Sequence, residues 1–327
     1  GRARFVPVVL PTAKAVEARY PLTLNTGRVR DHWHTMTRTA KSARLSAHLA
    51  EPFAEIHPAD ALRTGVSHAD LVRVESATGH IVVRALITLR QVRGAVFVPM
   101  HWTDQVAANA RVGTLIPAVT DPHSGQPASK RTPVRIQRVA LADYGFAVLR
   151  TRPTCIDADY WVVAKCPGGW RVELGGLRNA DDVAAYARAL FRSGDDALLL
   201  SYRDGVVGLR RVAAFDDMGL VGALFVGPTP VAVSRVWAVE QLSADMDQPG
   251  ARLRVLAGRA GGGQPDRGAI VCACFGVGQN EIVNAIVNGE CRSVAEVGAC
   301  LKAGTNCGSC RAEIKGILDA TRLQAAE

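Results

Sequence analysis

The 327-residue sequence predicts a multidomain chain: a closed or nearly closed β-barrel, then a small α+β domain, then a small all-α domain. Residues 1–150 contain many short apolar strands and wide loops but few helical periods, which is typical of a barrel. A Gly-rich stretch at 258–268 reads as a linker. Beyond it, the apolar residues of 269–327 recur at helical spacing. Residues 151–257 form the predicted α+β domain.

Strand and helix signals in the first block are individually clear. Residues 21–27 read as a strand that ends at Gly27, and Pro58 and Gly65 bound a short helix. Residues 70–88 alternate apolar and polar side chains around a turn, which predicts a β-hairpin. Another apolar strand is expected at 96–100.

The segment 28–38 after the first strand has no helical or strand period. It contains three Arg, two His and one Trp in eleven residues. One interpretation is a nucleotide clamp, in which Arg and backbone N–H groups bind phosphate and Trp or His stacks on a base. The other is a solvated surface loop with Trp33 packed into the core.

The charge distribution favours a polyanionic ligand over nucleic acid. The net charge is +9, and the excess lies in residues 1–150, which carry 20 Lys and Arg against 10 Asp and Glu. These basic residues are scattered, and aromatic residues make up only 6% of the chain, which argues against a base-stacking platform.

Four of the eight cysteines form two short motifs in the tail, Cys272-Ala-Cys274 and Cys307-Gly-Ser-Cys310. Four thiolates in one small volume suit a [2Fe-2S] cluster or a tetrahedral zinc ion. Helices are predicted at 280–289, from 293 to 304, and at 311–323, so both motifs precede helices whose N–H groups can stabilise added negative charge.

The other four cysteines, Cys155, Cys166, Cys291 and Cys300, are expected to be packing residues. This cysteine usage indicates a reducing cytoplasm rather than a disulfide framework. The longest apolar stretch, 218–233, is broken by Gly and Pro, so we expect no membrane span and a soluble protein. The first residue is Gly1 and no leader follows it, which predicts a fragment or a processed chain.

Ordered motifs at 25–35, 56–60, 96–102, Asn109 and 120–125 resemble the C-terminal molybdopterin-dinucleotide-binding domain of molybdenum oxidoreductases, specifically the assimilatory nitrate reductases. The resemblance implies a double-psi β-barrel that binds the guanine dinucleotide end of Mo-bis(molybdopterin guanine dinucleotide). It also implies a set of cofactor-binding residues: Thr26, Gly27, Arg28, His32, Trp33, His34, Thr35, Asn109 and Lys130.

The tail resembles the bacterioferritin-associated-ferredoxin type of [2Fe-2S] domain, because a C-x-C motif precedes a C-x2-C motif by 32 residues. This resemblance implies that Cys272, Cys274, Cys307 and Cys310 bind the cluster, and it favours iron over zinc.

Together the two resemblances imply reduction of nitrate to nitrite, with the cluster receiving electrons from an NAD(P)H-dependent reductase subunit or from ferredoxin or flavodoxin. No catalytic residue is expected in this chain, and a [4Fe-4S] cluster is expected only in an upstream region. The middle domain would act as a scaffold that spaces two redox centres. The alternatives are a formate dehydrogenase-like enzyme and a non-catalytic [2Fe-2S] electron-carrier or cluster-delivery protein.

Overall fold

The computed structural model describes residues 18–259 and 267–324, together with Arg2, Phe5 and Pro7. Most of the predicted linker, 258–268, lies outside the described residues. Within the described residues, the chain forms a barrel, a six-stranded sheet with helices on it, and a small tail domain.

Six strands close the predicted barrel in the order β1-β5-β2-β4-β3-β6. The strands are β1 (Leu22–Gly27), β2 (Phe53–Ile56), β3 (Leu71–Glu75), β4 (His80–Ile87), β5 (Ala95–Pro99) and β6 (Thr132–Val139). The β1–β5 and β2–β4 pairs are parallel, and the other pairs are antiparallel. Side chains alternate along the strands, so Leu22, Leu24 and Ile56 are fully buried inside.

Two short helices interrupt the barrel strands, α1 (Ala43–Ser46) and α2 (Pro58–Thr64). Helix α2 contacts β6 of the barrel, whereas α1 packs against the second sheet. The α2 helix begins at Pro58 and is capped by Gly65 at φ +65°, as the sequence predicts. The segment 28–38 connects β1 towards α1, so the barrel presents this segment at the end of its first strand.

The second sheet is antiparallel, with the order β10-β11-β12-β7-β9-β8. Its strands are β7 (Tyr144–Leu149), β8 (Ala158–Cys166), β9 (Gly169–Leu177), β10 (Leu198–Asp204), β11 (Leu209–Asp216) and β12 (Gly219–Gly227). Because β7 pairs with β9 and β12, the chain leaves the barrel one strand before the predicted boundary at residue 150. A short apolar strand carries no sequence signal of the sheet that it joins.

Both faces of this sheet are buried. Helix α3 (Val183–Phe191) covers one face, where Leu190 and Phe191 pack into one apolar cluster. Helices α4 (Arg235–Glu240) and α5 (Ala251–Ala257) contribute to the cluster on the other face. This part is the predicted α+β architecture.

The sequence predicts an all-α tail domain, and this prediction is wrong. The tail domain contains a two-stranded sheet, β13 (Ile270–Cys272) and β14 (Val277–Gly278), followed by three helices. These are α6 (Gln279–Val287), α7 (Val294–Leu301) and α8 (Arg311–Gln324). The strands were missed because two or three residues are too few to show an alternating pattern. Helix α7 stops at Leu301 rather than near Gly304, because Lys302 adopts φ +61°.

No helix in 18–259 or 267–324 has the length and apolar character that crossing a bilayer requires. All eight cysteines are free thiols. Cys166 and Cys291 are buried as expected, whereas Cys155 and Cys300 are exposed and do not serve as packing residues.

Candidate functional site

The segment 28–38 has an unusual backbone. Asp31, His34 and Met36 all adopt positive φ angles, of 73°, 44° and 60°. Side chains disfavour this left-handed region, and each such residue costs on the order of 1 kcal/mol unless its surroundings hold it. The contacts around the segment must therefore supply that restraint.

A buried histidine from the end of the barrel supplies much of it. His101 Nε2 accepts a hydrogen bond from the Val29 N–H at 2.9 Å, and His101 Nδ1 donates to the His34 carbonyl at 2.6 Å. These two bonds require the neutral Nδ1–H tautomer. Burial lowers the pKa of His101, which keeps the ring neutral. His101 therefore ties the segment to the barrel at Val29 and at His34.

His32 also points inward. It is 7% exposed, its Nε2 donates to the Leu49 carbonyl at 2.7 Å, and its ring meets Trp102 edge-on at 5.3 Å. Burial lowers the pKa of His32 as well. Because the ring is used inside the fold, His32 supports the segment rather than presenting its ring nitrogens outward.

The opposite face of the segment is open. Trp33 is 54% exposed, which excludes the interpretation that it packs into the core. The Arg28 guanidinium lies 4.4 Å from the centre of the Trp33 ring, and His34 meets the same ring edge-on at 4.6 Å. An exposed indole beside an Arg offers a flat apolar surface next to a phosphate-binding group. Thr35 is exposed on the same segment.

The remaining predicted cofactor residues lie around the end of β1. Thr26 Oγ1 donates to the Ser129 carbonyl at 3.3 Å, which places exposed Lys130 beside this strand. The Gly27 carbonyl accepts from the Met100 N–H at 3.0 Å, and a Cβ added to Gly27 would lie 3.0 Å from the Phe97 ring.

Asn109 is positioned separately. Its carbonyl accepts from the Val82 N–H on β4 at 2.8 Å. In the described parts of the chain, no hydrogen bond or ring contact joins Asn109 to the segment 28–38. The structure thus gathers most of the predicted residues at one end of the barrel, and Asn109 is held by β4.

The four tail thiols meet as two pairs, one from each motif. Cys274 Sγ lies 3.3 Å from Cys307 Sγ, and the Cys272 and Cys310 thiols are in hydrogen-bond contact. The first pair is accessible, whereas Cys272 and Cys310 are each 2% exposed. Burial raises the pKa of Cys310 to about 11, while the Ser309 hydroxyl lowers the pKa of Cys307.

This donor set fits a [2Fe-2S] cluster, in which each of the two iron ions takes two thiolates. A tetrahedral zinc ion would use the same four thiolates around one centre.

The segment 28–38 and the tail domain are in direct contact. Arg30 Nη2 donates to the Val271 carbonyl at 2.6 Å and to Glu313 Oε2 at 2.7 Å. His48 Nε2 lies 3.1 Å from the same carboxylate oxygen. In the nucleotide-clamp interpretation the Arg side chains of this segment bind phosphate, whereas Arg30 binds the tail domain.

Charges alternate in this contact. Asp31 Oδ2 accepts from Arg30 Nη1 at 2.9 Å and lies 3.2 Å from His48 Nδ1, an ion-pair distance without hydrogen-bond alignment. Burial opposes the charge on His48, but its contacts with Asp31 and Glu313 raise the pKa. Burial likewise opposes the charge on Glu313, but hydrogen bonds from His48 and Arg30 lower its pKa to about 2.

A cavity of about 1110 Å³ opens beside this contact, between the barrel, the second sheet and the tail domain. Cys274 and His48 line it, as do the basic residues Arg44, Lys165 and Arg267. Cys274 of the accessible thiol pair therefore lies in the cavity wall, whereas neither Cys272 nor Cys310 of the buried pair lines the cavity.

His101 lies within the motif at 96–102, but nothing in the sequence marks it as a site residue. The interdomain residues Arg30, His48 and Glu313 had no sequence signal, because Arg30 and Glu313 are 283 positions apart.

Comparison with known families agrees with both halves of this geometry. Residues 22–133 match the molybdopterin dinucleotide binding domain, and residues 270–320 match the BFD-like [2Fe-2S] binding domain. The chain therefore carries a molybdopterin-dinucleotide-binding domain and a BFD-like [2Fe-2S] domain. This confirms the two family resemblances on which the sequence analysis relied.

Among individual proteins, the chain is 37% identical over 334 residues to a nitrate reductase of Klebsiella oxytoca, covering 99% of this chain. It is 40% identical over 131 residues to the assimilatory nitrate reductase catalytic subunit of Bacillus subtilis, covering 40% of this chain and 17% of that protein. It is 35% identical over 123 residues to the F420-dependent formate dehydrogenase 1 subunit alpha of Methanococcus maripaludis, covering 38% of this chain and 18% of that protein. The chain spans 37% of the length of the Klebsiella protein.

Proposed function

We propose that this chain is the C-terminal part of an assimilatory nitrate reductase catalytic subunit in the cytoplasm. The similarity to a nitrate reductase across 99% of the chain carries this proposal, because it includes the second sheet as well as the two cofactor domains. The reaction is NO₃⁻ + 2 H⁺ + 2 e⁻ → NO₂⁻ + H₂O. Bound molybdenum cofactor supplies the two-electron chemistry, and a bound [2Fe-2S] cluster supplies one-electron transfer.

The barrel residues bind and orient in this proposal. We propose a double-psi barrel in which Arg28 and Lys130 meet phosphate oxygens, and Trp33 provides an apolar face for the guanine base. Thr26, Gly27, His34 and Thr35 surround the dinucleotide. Buried His32 holds the segment in place, and Asn109 approaches the cofactor from the side of β4.

The tail residues serve electron entry. The thiolates of Cys272, Cys274, Cys307 and Cys310 hold the cluster, and an NAD(P)H-dependent reductase subunit, ferredoxin or flavodoxin delivers electrons one at a time. No residue of this chain takes a catalytic role. The molybdenum ligand and a [4Fe-4S] cluster belong to the preceding part of the full-length protein, and the second sheet spaces the two centres.

Three measurements test this proposal. The purified chain should contain iron and acid-labile sulfide in equal amounts, and one zinc ion without sulfide would contradict the cluster assignment. The full-length protein should then release nitrite from nitrate when it is given a reduced donor. An acid extract of the full-length protein should contain guanine nucleotide. A preparation whose extract lacks guanine nucleotide should release no nitrite.

A formate dehydrogenase-like enzyme is the second candidate, because residues of the barrel are also similar to a formate dehydrogenase subunit. Barrel residues hold the cofactor and do not select the substrate. Parallel assays of the full-length protein with nitrate and with formate separate the two candidates. Activity with formate alone would replace the nitrate assignment.

A further inference from the structure

Four charged side chains join the barrel to the tail domain: Arg30, Asp31, His48 and Glu313. We call them the Arg30 clamp. Their side chains are 18%, 10%, 9% and 35% exposed, so three of the four are largely removed from water. Two carboxylates alternate with two basic groups. Asp31 Oδ2 and Glu313 Oε2 each contact both Arg30 and His48. Removing any one member would leave a net excess of one charge in this largely buried contact.

The Arg30 clamp contacts the two segments that carry the buried thiol pair. Val271, whose carbonyl accepts from Arg30, immediately precedes Cys272. Glu313 lies in the first turn of α8, which begins directly after Cys310. The barrel is thus attached to the tail domain at both residues of the buried pair.

The accessible pair is more exposed to solvent, and the charge of Asp31 in segment 28–38 also acts on Cys307. Cys307 is exposed, and Cys274 lines the cavity between the domains. A cluster held by the four thiolates would therefore have two unlike ends. One end would face segment 28–38 through Val271 and Arg30, and the other end would be accessible to an incoming donor.

We propose that the Arg30 clamp fixes the orientation of the [2Fe-2S] domain, with its buried thiol pair towards the dinucleotide-binding segment. Arg30 is then a positioning residue for electron transfer between the two cofactors. In a bound cluster, the Cys274–Cys307 end would be the end open to a one-electron donor. The Cys272–Cys310 end would lie next to the Val271 carbonyl, which is hydrogen-bonded to Arg30 of segment 28–38.

The direction of electron flow rests on the proposed function, whereas the docked orientation does not. Three variants test the docked orientation and the electron flow separately. Arg30→Lys keeps the positive charge but loses the forked guanidinium that reaches Val271, Asp31 and Glu313 together. Glu313→Gln removes the shared carboxylate. Asp319→Asn is the matched control, because among the described residues Asp319 pairs only with Lys315 on the exposed side of the same helix.

Hydrogen–deuterium exchange of the iron-loaded chain tests the docking. Amides in 28–48 and 267–275 should exchange several-fold faster in Arg30→Lys and Glu313→Gln, with iron content unchanged, and should match the wild type in Asp319→Asn. Unchanged exchange in both clamp variants would overturn the proposal.

Reoxidation of the chemically reduced cluster by nitrate in the full-length holoenzyme tests the positioning role. The rate should fall roughly tenfold or more in Arg30→Lys, because a displaced redox partner loses its productive geometry. Altered exchange together with a wild-type reoxidation rate would overturn the role of Arg30. If nitrate fails to reoxidise the cluster even in the wild type, the proposed function fails, and the exchange result still decides the docking.

Discussion

The candidate dinucleotide site and the thiol site are assembled in contrasting ways. The thiols come from two short motifs within one small domain, so neighbouring residues bring them together. The segment 28–38 depends on distant partners: His101 lies 67 and 72 positions from the two groups that it binds. The thiol site is therefore a local structure, and the dinucleotide site is held by the tertiary fold.

The backbone shows the same difference. Around the thiols, Gly276, Gly304 and Gly308 adopt positive φ angles, which glycine does without steric cost. In segment 28–38 the corresponding conformations fall on Asp31, His34 and Met36, which bear side chains. Strained positions of this kind persist only where the surroundings over-determine them, and they cluster at functional sites. The exposed face of segment 28–38 is thus held rigid by the buried contacts of His101 and His32 on its inner side.

The largest expected effect is at the local site. Cys274→Ser should abolish the iron and sulfide content of the chain, because one thiolate of a pair is lost. Cys300→Ser is the matched control, since Cys300 is an exposed cysteine of the same domain outside both motifs. Metal and sulfide analysis measures both variants. Full iron content in Cys274→Ser would remove this cysteine from the ligand set.

A comparable test of the distant site is His101→Ala. This change leaves the Val29 N–H and the His34 carbonyl without their partner and opens a void, so the free energy of unfolding should fall by about 2–4 kcal/mol. Denaturant unfolding measures the loss. His123→Ala, at an exposed histidine, should change stability by less than about 0.5 kcal/mol. Equal stability of the two variants would show that His101 does not hold the segment.

The exposed face should respond differently from its support. Trp33→Ala should leave the free energy of unfolding within about 0.5 kcal/mol of wild type, because the ring is exposed. Guanine dinucleotide affinity should fall on the order of tenfold, through the lost stacking surface. Isothermal titration with a guanine nucleotide measures the affinity. Unchanged affinity would mean that the base lies elsewhere.

The same contrast explains what the sequence could predict. The strands, the helix at Pro58, the hairpin around residues 76–79 and the two thiol motifs have local signals, and the structure contains them. The short strands β13 and β14 were missed because they are shorter than one alternating repeat. The sheet membership of β7, the inward direction of His32 and the use of Arg30 in the tail contact all depend on residues far away in the chain.

The smallest expected effect is the pH dependence of the Arg30 clamp. The pKa of His48 is raised above 6.5, so its contribution to stability is complete below pH 6.5 and is lost as pH rises through the raised value. The pKa of Glu313 is lowered from 4.5 to about 2, so its contribution is complete above pH 4.5 and is lost as pH falls towards 2. The clamp should be strongest between pH 4.5 and 6.5.

This dependence can be measured as the difference in free energy of unfolding between wild type and His48→Gln, followed from pH 4.5 into alkaline solution. The difference should be largest near pH 5.5 and should shrink in alkaline solution. Arg30 and Asp31 also face His48, so the measurement is repeated in the Arg30→Lys background. There the change of this free-energy difference with pH should itself be altered. A difference that is flat with pH would show that His48 carries no charge in the contact.

The most direct test of the central claim is cluster reoxidation in the full-length holoenzyme. The cluster is reduced chemically, excess reductant is removed, and nitrate is added while cluster absorbance and nitrite are followed together. The account predicts that the cluster is reoxidised and that one nitrite appears for every two electrons withdrawn. A cluster that stays reduced while nitrite forms from another donor would contradict the claim that this tail domain delivers electrons to the molybdenum centre.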